Sequence, residues 1–586
     1  MKNIIEKANK SKPSLLAAGI FFIMANLFTV YFMSQERYIY FWDLITYWSK
    51  YTYLSEHFIG NTFNAIETVF WSIREDKYNH FPALLLMPFG LLFGTSRMAY
   101  ILSIVNIFAL PVVASFIVIH RKLTKAKESS GIFLPLIPVC VILLSPDFWN
   151  PILYGYLDVG GILLTNLILL LYLNNPFSKQ STRDLLLIAV LISILVIFRR
   201  WYAFWGVSFY IVLLMEICLV LFLTRPFDVK NFTKSLSKYF MQVSVSAVIF
   251  FLAVPTYGQK ILGTNYVDLN SAYRLSMNLF QSFGVILNSF GLLYFSLFLL
   301  GAIGALINKK TRGFAMFVLV QSVIIFVMFA RTQDFDTHHR YLLLPPVLFF
   351  SSLFLNHIFC KMKNFKILTL GCLAVLFALN YFIAFGPHEK FDKKPYPSVF
   401  TNIRHRPLVR NDFKEIERML VTLKELLTGP EDRVYVLASS DILNSNMLHS
   451  AWMFFGRYKD ICQKILPTHN VDKRNGFPLP LLTTQYVIVA DPVQNPMDQW
   501  VVGIPTELFL GQKGVATSFQ KLPYEFNLDG GVKAYIYKKI KPIQASDAAY
   551  ISQMLERYYP GREDIYKIKD NSWTIKANED NAKAIR

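Results

Sequence analysis

Asp43 is the first residue whose type and surroundings suggest chemistry. It follows the run "RYIYFW", whose aromatic residues are typical of the headgroup layer of a membrane. A carboxylate in such surroundings loses hydration, which is costly unless another group pairs with it. The surroundings therefore favour a functional role for Asp43 over that of an ordinary loop acid.

Two adjacent arginines, Arg199 and Arg200, lie in "VIFRRWYAFWG" between two apolar stretches. Guanidinium groups bind phosphate through paired hydrogen bonds and stack on aromatic rings such as that of Trp201. The pair predicts a local anion, for example a phosphate. The alternative is that both side chains extend to lipid headgroups.

The stretch "ARTQDFDTHHRYLLLPP" combines acids, imidazoles and arginine within one short loop: Asp334, Asp336, His338, His339 and Arg340. The "DFD" resembles the metal-binding carboxylate pair of nucleotide-sugar enzymes, and carboxylates with imidazoles could hold a divalent ion. No further acidic cluster supports a metal, so we favour Arg340 facing a phosphate, assisted by His338 or His339. No metal is then required, and a divalent ion is the less favoured alternative.

Two further polar residues begin apolar stretches. Asp158 precedes "VGGILL", and a carboxylate at a helix N-terminus caps the helix without any further purpose, so capping is the default interpretation. His80 opens "HFPALLLMPFGLLFG", a segment too short to cross a membrane and better suited to an interfacial or re-entrant helix. A functional His80 and a histidine that only bonds to the backbone are about equally favoured.

The chain that positions these residues is a membrane protein by composition. Its mean hydropathy is +0.37, and 54% of its residues are hydrophobic and 16% aromatic. Membrane-length apolar stretches predict about eleven spans. They lie near 14–34, 98–119, 131–146, 158–174, 184–199, 203–224, 240–256, 286–307, 313–330, 341–359 and 366–386.

Positive charge is concentrated on alternate connections. Most of the +20 net charge lies at the N-terminus and near 120–130, 175–184, 225–239, 308–312 and 360–366. By the positive-inside rule these segments are cytoplasmic, which predicts a multi-pass plasma-membrane protein with a cytoplasmic N-terminus. The basic charge therefore reports topology and does not indicate nucleic acid. The candidate residues fall on the outer face, where residues 35–97 form one long external loop with interfacial helices.

The chain is predicted to divide into a transmembrane domain, 1–386, and an extracytoplasmic α/β domain, 387–586. Short β-branched and aromatic runs at 433–439, 485–491 and 532–539, with a helical pattern at 411–427, indicate the second domain. It could recognise an acceptor, close over the site or serve only in packing. The five cysteines give neither a disulfide framework nor a zinc pattern, and no phosphate-binding loop or GxGxxG is present.

The order of elements resembles the polytopic glycosyltransferases of the C structural class. The basic N-terminus, one span and an external loop with Asp43 are followed by "YNHFPALLLMPFGLLFG", which is similar to the stretch of protein O-mannosyltransferases and bacterial aminoarabinose transferases that begins His-Pro-Pro-Leu and ends Phe-Gly. "RYLLLPP" resembles their Arg-Tyr-Leu-Leu-Pro stretch. Two departures leave the subfamily and acceptor open: Phe81 stands where the family has its first proline, and Asp43 is single where many members have paired acids.

The resemblance implies that Asp43 is the catalytic acid/base residue and that the donor is a sugar on a polyprenyl phosphate. The residues then predict an inverting transfer to an acceptor hydroxyl, with arginines on the leaving phosphate and Asp158 orienting the acceptor. The acceptor could be a cell-envelope polymer, a lipid or a protein, and the other partners are membrane lipids. A lipid-linked oligosaccharide polymerase or ligase, or a lipid flippase or transporter, remains the alternative.

Overall fold

The structure is a computed structural model of the chain. It describes residues 2–76, 78–124, 133–175, 177–223, 229–255, 277–335, 337–361, 366–387, 398–469, 475–495, 500–561 and 563–568. Two compact units are present. The first comprises described residues within 1–35, 46–267 and 273–407, and the second comprises residues 36–45 and described residues from 408 onward. Residues 36–45 thus belong with the C-terminal unit, unlike in the predicted domains 1–386 and 387–586.

The first unit is built from α-helices. They are α1 (Lys2–Met33), α2 (Asp43–Gly60, which begins in the second unit), α3 (Thr62–Glu75), α4 (Phe81–Phe93), α5 (Arg97–Ile104), α6 (Leu110–Thr124), α7 (Phe133–Leu143), α8 (Pro146–Leu153), α9 (Val159–Asn174), α10 (Thr182–Phe198), α11 (Tyr202–Leu223), α12 (Val229–Ala253), α13 (Leu279–Ile307), α14 (Arg312–Thr332), α15 (Leu344–Lys361) and α16 (Lys366–Phe385). A π-helical turn, Val105–Ala109, joins α5 to α6.

Each of the eleven predicted spans coincides with a helix in this set. Seven helices are long and apolar enough to cross a membrane, or eight if the bent pair α7 and α8 counts as one span. Shorter apolar helices cover two more of the predicted spans, 158–174 and 366–386, whereas α10, which coincides with the predicted span 184–199, belongs to neither group. The chain is therefore a multi-pass α-helical membrane protein. The apolar segment after His80 forms α4, which is 13 residues long, as expected for a helix too short to span.

Helix α13 is broken at Gly291, whose φ of 72° lies in the left-handed region that favours glycine. The break leaves backbone groups without helical partners, and the segment that follows α16 satisfies them. Leu292 N–H donates to the carbonyl of Ser398 at 3.1 Å, and Leu293 N–H donates to that of Val399 at 2.9 Å. Residues 398–402 therefore complete the backbone hydrogen bonding of α13 next to Ser289.

The second unit is a five-stranded sheet with helices on both faces. Its elements are α17 (Phe413–Leu426), β1 (Val434–Leu437), α18 (Ser445–Ser450), α19 (Trp452–Phe455), α20 (Lys459–Gln463), β2 (Ile465–Leu466), α21 (Leu479–Thr483), β3 (Tyr486–Asp491), α22 (Trp500–Leu510), β4 (Phe519–Asn527), β5 (Lys533–Lys539), α23 (Ala545–Tyr558) and α24 (Glu563–Tyr566). The strand order is β2-β1-β3-β5-β4. Strands β2, β1 and β3 are parallel to one another, and β5 is antiparallel to both of its neighbours, β3 and β4. This confirms the predicted C-terminal α/β fold.

Candidate functional site

A fully buried ion pair joins Asp158, just before α9, to Arg199, just after α10. Arg199 Nε donates to Asp158 Oδ1 at 3.1 Å, and its Nη2 lies 3.0 Å from Oδ2. Its Nη1 donates to the hydroxyl of Tyr47 at 2.8 Å. The guanidinium also lies over the Trp201 ring, 3.8 Å from its centroid. All three guanidinium nitrogens are therefore engaged within the protein.

The sequence next to Asp158 explains how this pair forms. A Cβ at Gly160 or Gly161 would overlap the rings of Phe198 and Tyr202 respectively, so only glycine lets the ends of α10 and α11 approach α9 so closely. Tyr202 then donates to the Asp158 carbonyl at 2.8 Å, and Trp201 Nε1 donates to the carboxylate at 2.6 Å.

The default prediction for Asp158 is wrong. The residue occupies the N-cap position of α9, but its side chain makes no capping hydrogen bond. Its carboxylate instead pairs with Arg199, because pairing is what makes burial of both charges tolerable. The same pairing commits Nε and one N–H on each Nη of Arg199, so the phosphate role predicted for Arg199 stays a prediction.

A second buried carboxylate, Asp147 on α8, pairs with Arg340. Nη1 of Arg340 lies 3.3 Å from Asp147 Oδ1 and also donates to the hydroxyl of Ser289 on α13. Ser289 donates to Asp147 in turn. Among the described residues, Nε of Arg340 is buried and has no hydrogen-bond partner. This pair, unlike the first, holds its arginine by one nitrogen and leaves donors unused.

Asp147 is not among the residues predicted from the sequence to act in the site. It lies in "SPDFWNPILYG", between two prolines, where it looks like a loop acid. Only the partners reveal it, and Ser289 and Arg340 lie 142 and 193 positions away in the chain. Its burial, with 4% of its surface exposed, requires such partners.

His338 and His339 lie beside both pairs. The ring of His338 is 4.9 Å from that of Trp201 and 4.4 Å from that of Tyr156. Its Nδ1 is buried without a hydrogen-bond partner in the described part of the chain. Burial lowers the pKa of His338 well below its usual range, and Arg199, Arg340 and Arg200 lower it further. The imidazole is therefore neutral at physiological pH and can accept or donate one hydrogen bond. The His339 ring packs against Trp201 and Phe329.

His80 occupies the N-cap position of α4 but makes no side-chain capping bond. Its backbone N–H donates to the Ser72 hydroxyl at 2.9 Å, and its Nδ1 is buried without a hydrogen-bond partner among the described residues. Burial, with a smaller effect of nearby Lys50, lowers the pKa of His80 to about 4. Lys50 itself pairs with Asp76 at 2.7 Å. The functional role of His80 stays a prediction.

Arg200 lies half-buried in a pocket. Its guanidinium is 5.7 Å from the Tyr78 ring centroid and 5.8 Å from that of Trp201. Apolar side chains from α3, α10 and α12 form much of the pocket wall, and Asp76, Asn79 and Arg199 add polar groups. The lining residues are Ile73, Asp76, Asn79, Val196, Ile197, Phe198, Arg199, Arg200, Trp201, Phe250 and Val254. A cation beside an aliphatic wall suits an amphiphile with an anionic head.

Asp43 is the first residue of α2 and lies in the segment 36–45 of the second unit. Tyr47, the hydroxyl partner of Arg199, follows it in the same helix by four positions, and residues four apart share one helix face. The carboxylate begins the helix where its macrodipole favours negative charge.

The described residues contain no group of three His, Cys, Asp or Glu side chains that could hold a metal ion. Asp336, the second acid of "DFD", lies outside the described residues. The absence of a metal requirement therefore stays a prediction.

The chain is similar in fold to solved protein structures, although its sequence matches no known family. No family model and no curated protein sequence matches the chain. The crystal structure of ArnT from Cupriavidus metallidurans in the apo state matches 88% of this chain and 97% of its own, with 12% identity and a TM-score of 0.50. The chain has the fold of the C-class membrane glycosyltransferases. This confirms the fold that the resemblance implied.

Two further solved structures are similar to the chain, both at 12% identity. ArnT from the same organism bound to undecaprenyl phosphate has a TM-score of 0.49 over 88% of this chain and 97% of its own. The archaeal oligosaccharyltransferase AglB from Archaeoglobus fulgidus, in complex with an inhibitory peptide and a dolichol-phosphate, has a TM-score of 0.43. The match covers 90% of this chain and 74% of the AglB chain.

Proposed function

We propose that this chain is a membrane glycosyltransferase that moves a sugar from a polyprenyl-phosphate donor to an acceptor hydroxyl on the outer face of the plasma membrane. One observation carries the proposal: within the described part of the chain, Nε of Arg340 is buried without a hydrogen-bond partner beside the neutral His338, in a chain with the C-class fold. A fixed arginine with unused donors is suited to an anion whose charge grows during reaction.

A lipid-linked donor is preferred over a nucleotide sugar. The sequence has no glycine-rich phosphate loop. The pocket around Arg200 offers a cation next to the apolar side chains of Phe250 and Val254, which fits a phosphate attached to a hydrocarbon chain. A donor anchored in the membrane can reach such a pocket from the lipid.

The proposed reaction inverts the anomeric carbon. Asp43 accepts the proton of the acceptor hydroxyl as its oxygen attacks that carbon, and the bond from the carbon to the phosphate oxygen breaks with its electron pair on the phosphate. A carboxylate is a weak base for an alcohol, so proton transfer comes late and positioning supplies much of the rate. Arg340 stabilises the departing phosphate, with Arg200 as a second cation.

Arg199 is proposed here as a positioning residue, because its nitrogens already contact Asp158 and Tyr47. Through Tyr47 it fixes α2 one turn beyond Asp43. His338 can hydrogen-bond a sugar or acceptor hydroxyl through the Nδ1 that has no described partner. In this proposal Asp158, His80 and His339 contribute to the shape of the site. The proposed topology places the N-terminus and the basic loops in the cytoplasm.

The proposal is tested by transfer from purified donors. The full-length protein is incubated with a panel of radiolabelled polyprenyl-phosphate hexoses and pentoses and with membranes as acceptor, comparing wild type with Asp43→Asn. We expect transfer to fall by about two orders of magnitude or more, since general base catalysis typically contributes 10²- to 10⁴-fold. Glu56→Gln is the matched control, because Glu56 is an exposed acid of the same helix as Asp43 and does not line the Arg200 pocket.

The alternatives give different results in the same assay. Unchanged transfer by Asp43→Asn would remove Asp43 from the mechanism. Movement of labelled lipid across vesicles without any sugar transfer would favour a flippase. Growth of a lipid-linked oligosaccharide on its own carrier would favour a polymerase.

A further inference from the structure

The segment that carries Asp43 is built into the C-terminal unit. Arg37 and Val409 form a parallel bridge, in which Arg37 N–H donates to the Leu408 carbonyl and Arg410 N–H donates to the Arg37 carbonyl, each at 2.9 Å. Ile39 is fully buried in the apolar core that β1, β3 and α17 share. Burial of Ile39 and the two backbone hydrogen bonds of this bridge attach the segment to the C-terminal unit.

Trp42, directly before Asp43, has an unusual backbone. Its φ is 49°, in the left-handed region that bulky side chains rarely adopt. Such a conformation persists only where the surroundings enforce it. The Trp42 N–H donates to the Oδ1 of Asn446 at 2.5 Å, and the ring packs edge-on against Phe41, with centroids 5.0 Å apart.

Asn446 is well placed to enforce that turn. It lies in α18, whose first turn is capped by the side chain of Asn444 and whose Ser445 hydroxyl accepts from the Thr468 N–H at 2.9 Å. The neighbouring Met447 and Leu448 are fully buried in the core. The Asn446 amide is thus a fixed acceptor on a helix that cannot shift without disturbing the unit.

We propose that Asn446 is a positioning residue for Asp43, and that setting the conformation of this turn is a function of the C-terminal unit. The role rests on the proposed function, in which Asp43 is the base. Without the acceptor at Asn446, Trp42 can relax to a negative φ, which rotates the start of α2 and moves the carboxylate. Displacements of about 1 Å from reactive geometry can cost about 100-fold in rate.

The test compares Asn446→Ala with Asn446→Asp in the full-length protein. We expect Asn446→Ala to lower kcat by about 10- to 100-fold with the donor KM within about twofold. Asn446→Asp keeps an oxygen acceptor and should recover most of the loss. Backbone hydrogen exchange at Trp42 should become faster in the alanine variant alone, a readout that needs no donor.

Thr506→Val is the matched control. It removes a buried hydroxyl of the same unit that donates to the Val502 carbonyl at 2.6 Å and lies in α22, apart from the 36–45 segment. It should lower the unfolding temperature without changing kcat of the folded protein or exchange at Trp42.

The outcomes separate this role from the proposed function. Wild-type turnover by Asn446→Ala, together with loss of transfer by Asp43→Asn, would overturn the positioning role and leave the function standing. A kcat loss with unchanged exchange at Trp42, or no recovery by Asn446→Asp, would overturn it as well. Full transfer by Asp43→Asn would remove the base and with it this role.

Discussion

Two buried carboxylate–arginine pairs in the helical unit differ in how many guanidinium nitrogens they use. Asp158–Arg199 is called the closed pair below, and Asp147–Arg340 the open pair. Asp158 and Arg199 contact each other through both carboxylate oxygens, and the remaining guanidinium nitrogen donates to Tyr47. Asp147 contacts Arg340 through one nitrogen only, at 3.3 Å. Both acids are almost fully buried, so neither pair is a surface salt bridge.

The difference separates a structural role from a binding role. The closed pair is buried and uses all three guanidinium nitrogens, so a ligand that displaced one of these contacts would leave a buried charge poorly compensated. An open pair holds its arginine in place and still presents donors. The neutral His338, whose pKa is lowered by burial and then by Arg199 and Arg340, lies beside the two. In the proposed function the first pair therefore serves stability and the second binds the anion.

Replacing the closed arginine gives the largest expected effect. Arg199→Leu leaves the Asp158 carboxylate buried without its charge partner, and breaking a buried pair in this way costs about 3–5 kcal/mol. We expect a large fall in the thermal unfolding temperature in detergent. The double variant Arg199→Leu with Asp158→Asn should recover much of it, since no uncompensated charge remains. An unfolding temperature equal to wild type in the single variant would contradict the closed-pair assignment.

Replacing the open arginine should have the opposite signature. Arg340→Gln removes a charge that faces the proposed phosphate, and loss of one such preorganised donor costs about 10²- to 10³-fold in kcat. The unfolding temperature should also fall, because Asp147 loses its charge partner, but by less than in Arg199→Leu, since Asp147 keeps the hydrogen bond from the Ser289 hydroxyl. Arg331→Gln, at the exposed end of α14, is the control. If Arg340→Gln unfolded at a much lower temperature but its folded form had wild-type kcat, the open pair would be structural and its proposed role in anion binding would be wrong.

Local patterns predicted the elements well and their pairing poorly. The helical pattern at 411–427 corresponds to α17, and the run 485–491 to β3. Strand β4 was missed because Pro523 and alternating exposed residues weaken its signal, as is usual at a sheet edge. Capping of α9 by Asp158 was the wrong prediction because a local rule was applied where a residue 41 positions away decides.

The candidate site shows the same limit. Arginines among aromatic residues and a histidine pair could be found in the sequence, since their types and spacing are local. The Asp147 pairing and the burial of Ile39 in the C-terminal core depend on contacts between distant parts of the chain. No period or motif reports such contacts, so a single sequence cannot separate an open arginine from a closed one.

The smallest expected effect concerns acid sensitivity beside these pairs. His405 stacks on Tyr154, with ring centroids 3.9 Å apart, and packs edge-on against Phe32. Burial and the nearby Arg97 lower the pKa of His405 to about 3. Between about pH 6.5 and pH 3, His405 is therefore protonated in the unfolded chain but not in the folded chain. The free energy of unfolding falls as the pH drops through this range, by at most about 1.4 kcal/mol per pH unit.

His405→Phe keeps an aromatic ring on Tyr154 and removes the titration. We expect the unfolding temperature of the variant to fall less than that of wild type between pH 7 and pH 5. His57→Phe, at an exposed position of α2, is the control. Parallel slopes for wild type and His405→Phe would mean that this ring is not what makes the helical unit acid-sensitive. His80 and His338, whose pKa values burial also lowers, are then the next residues to replace.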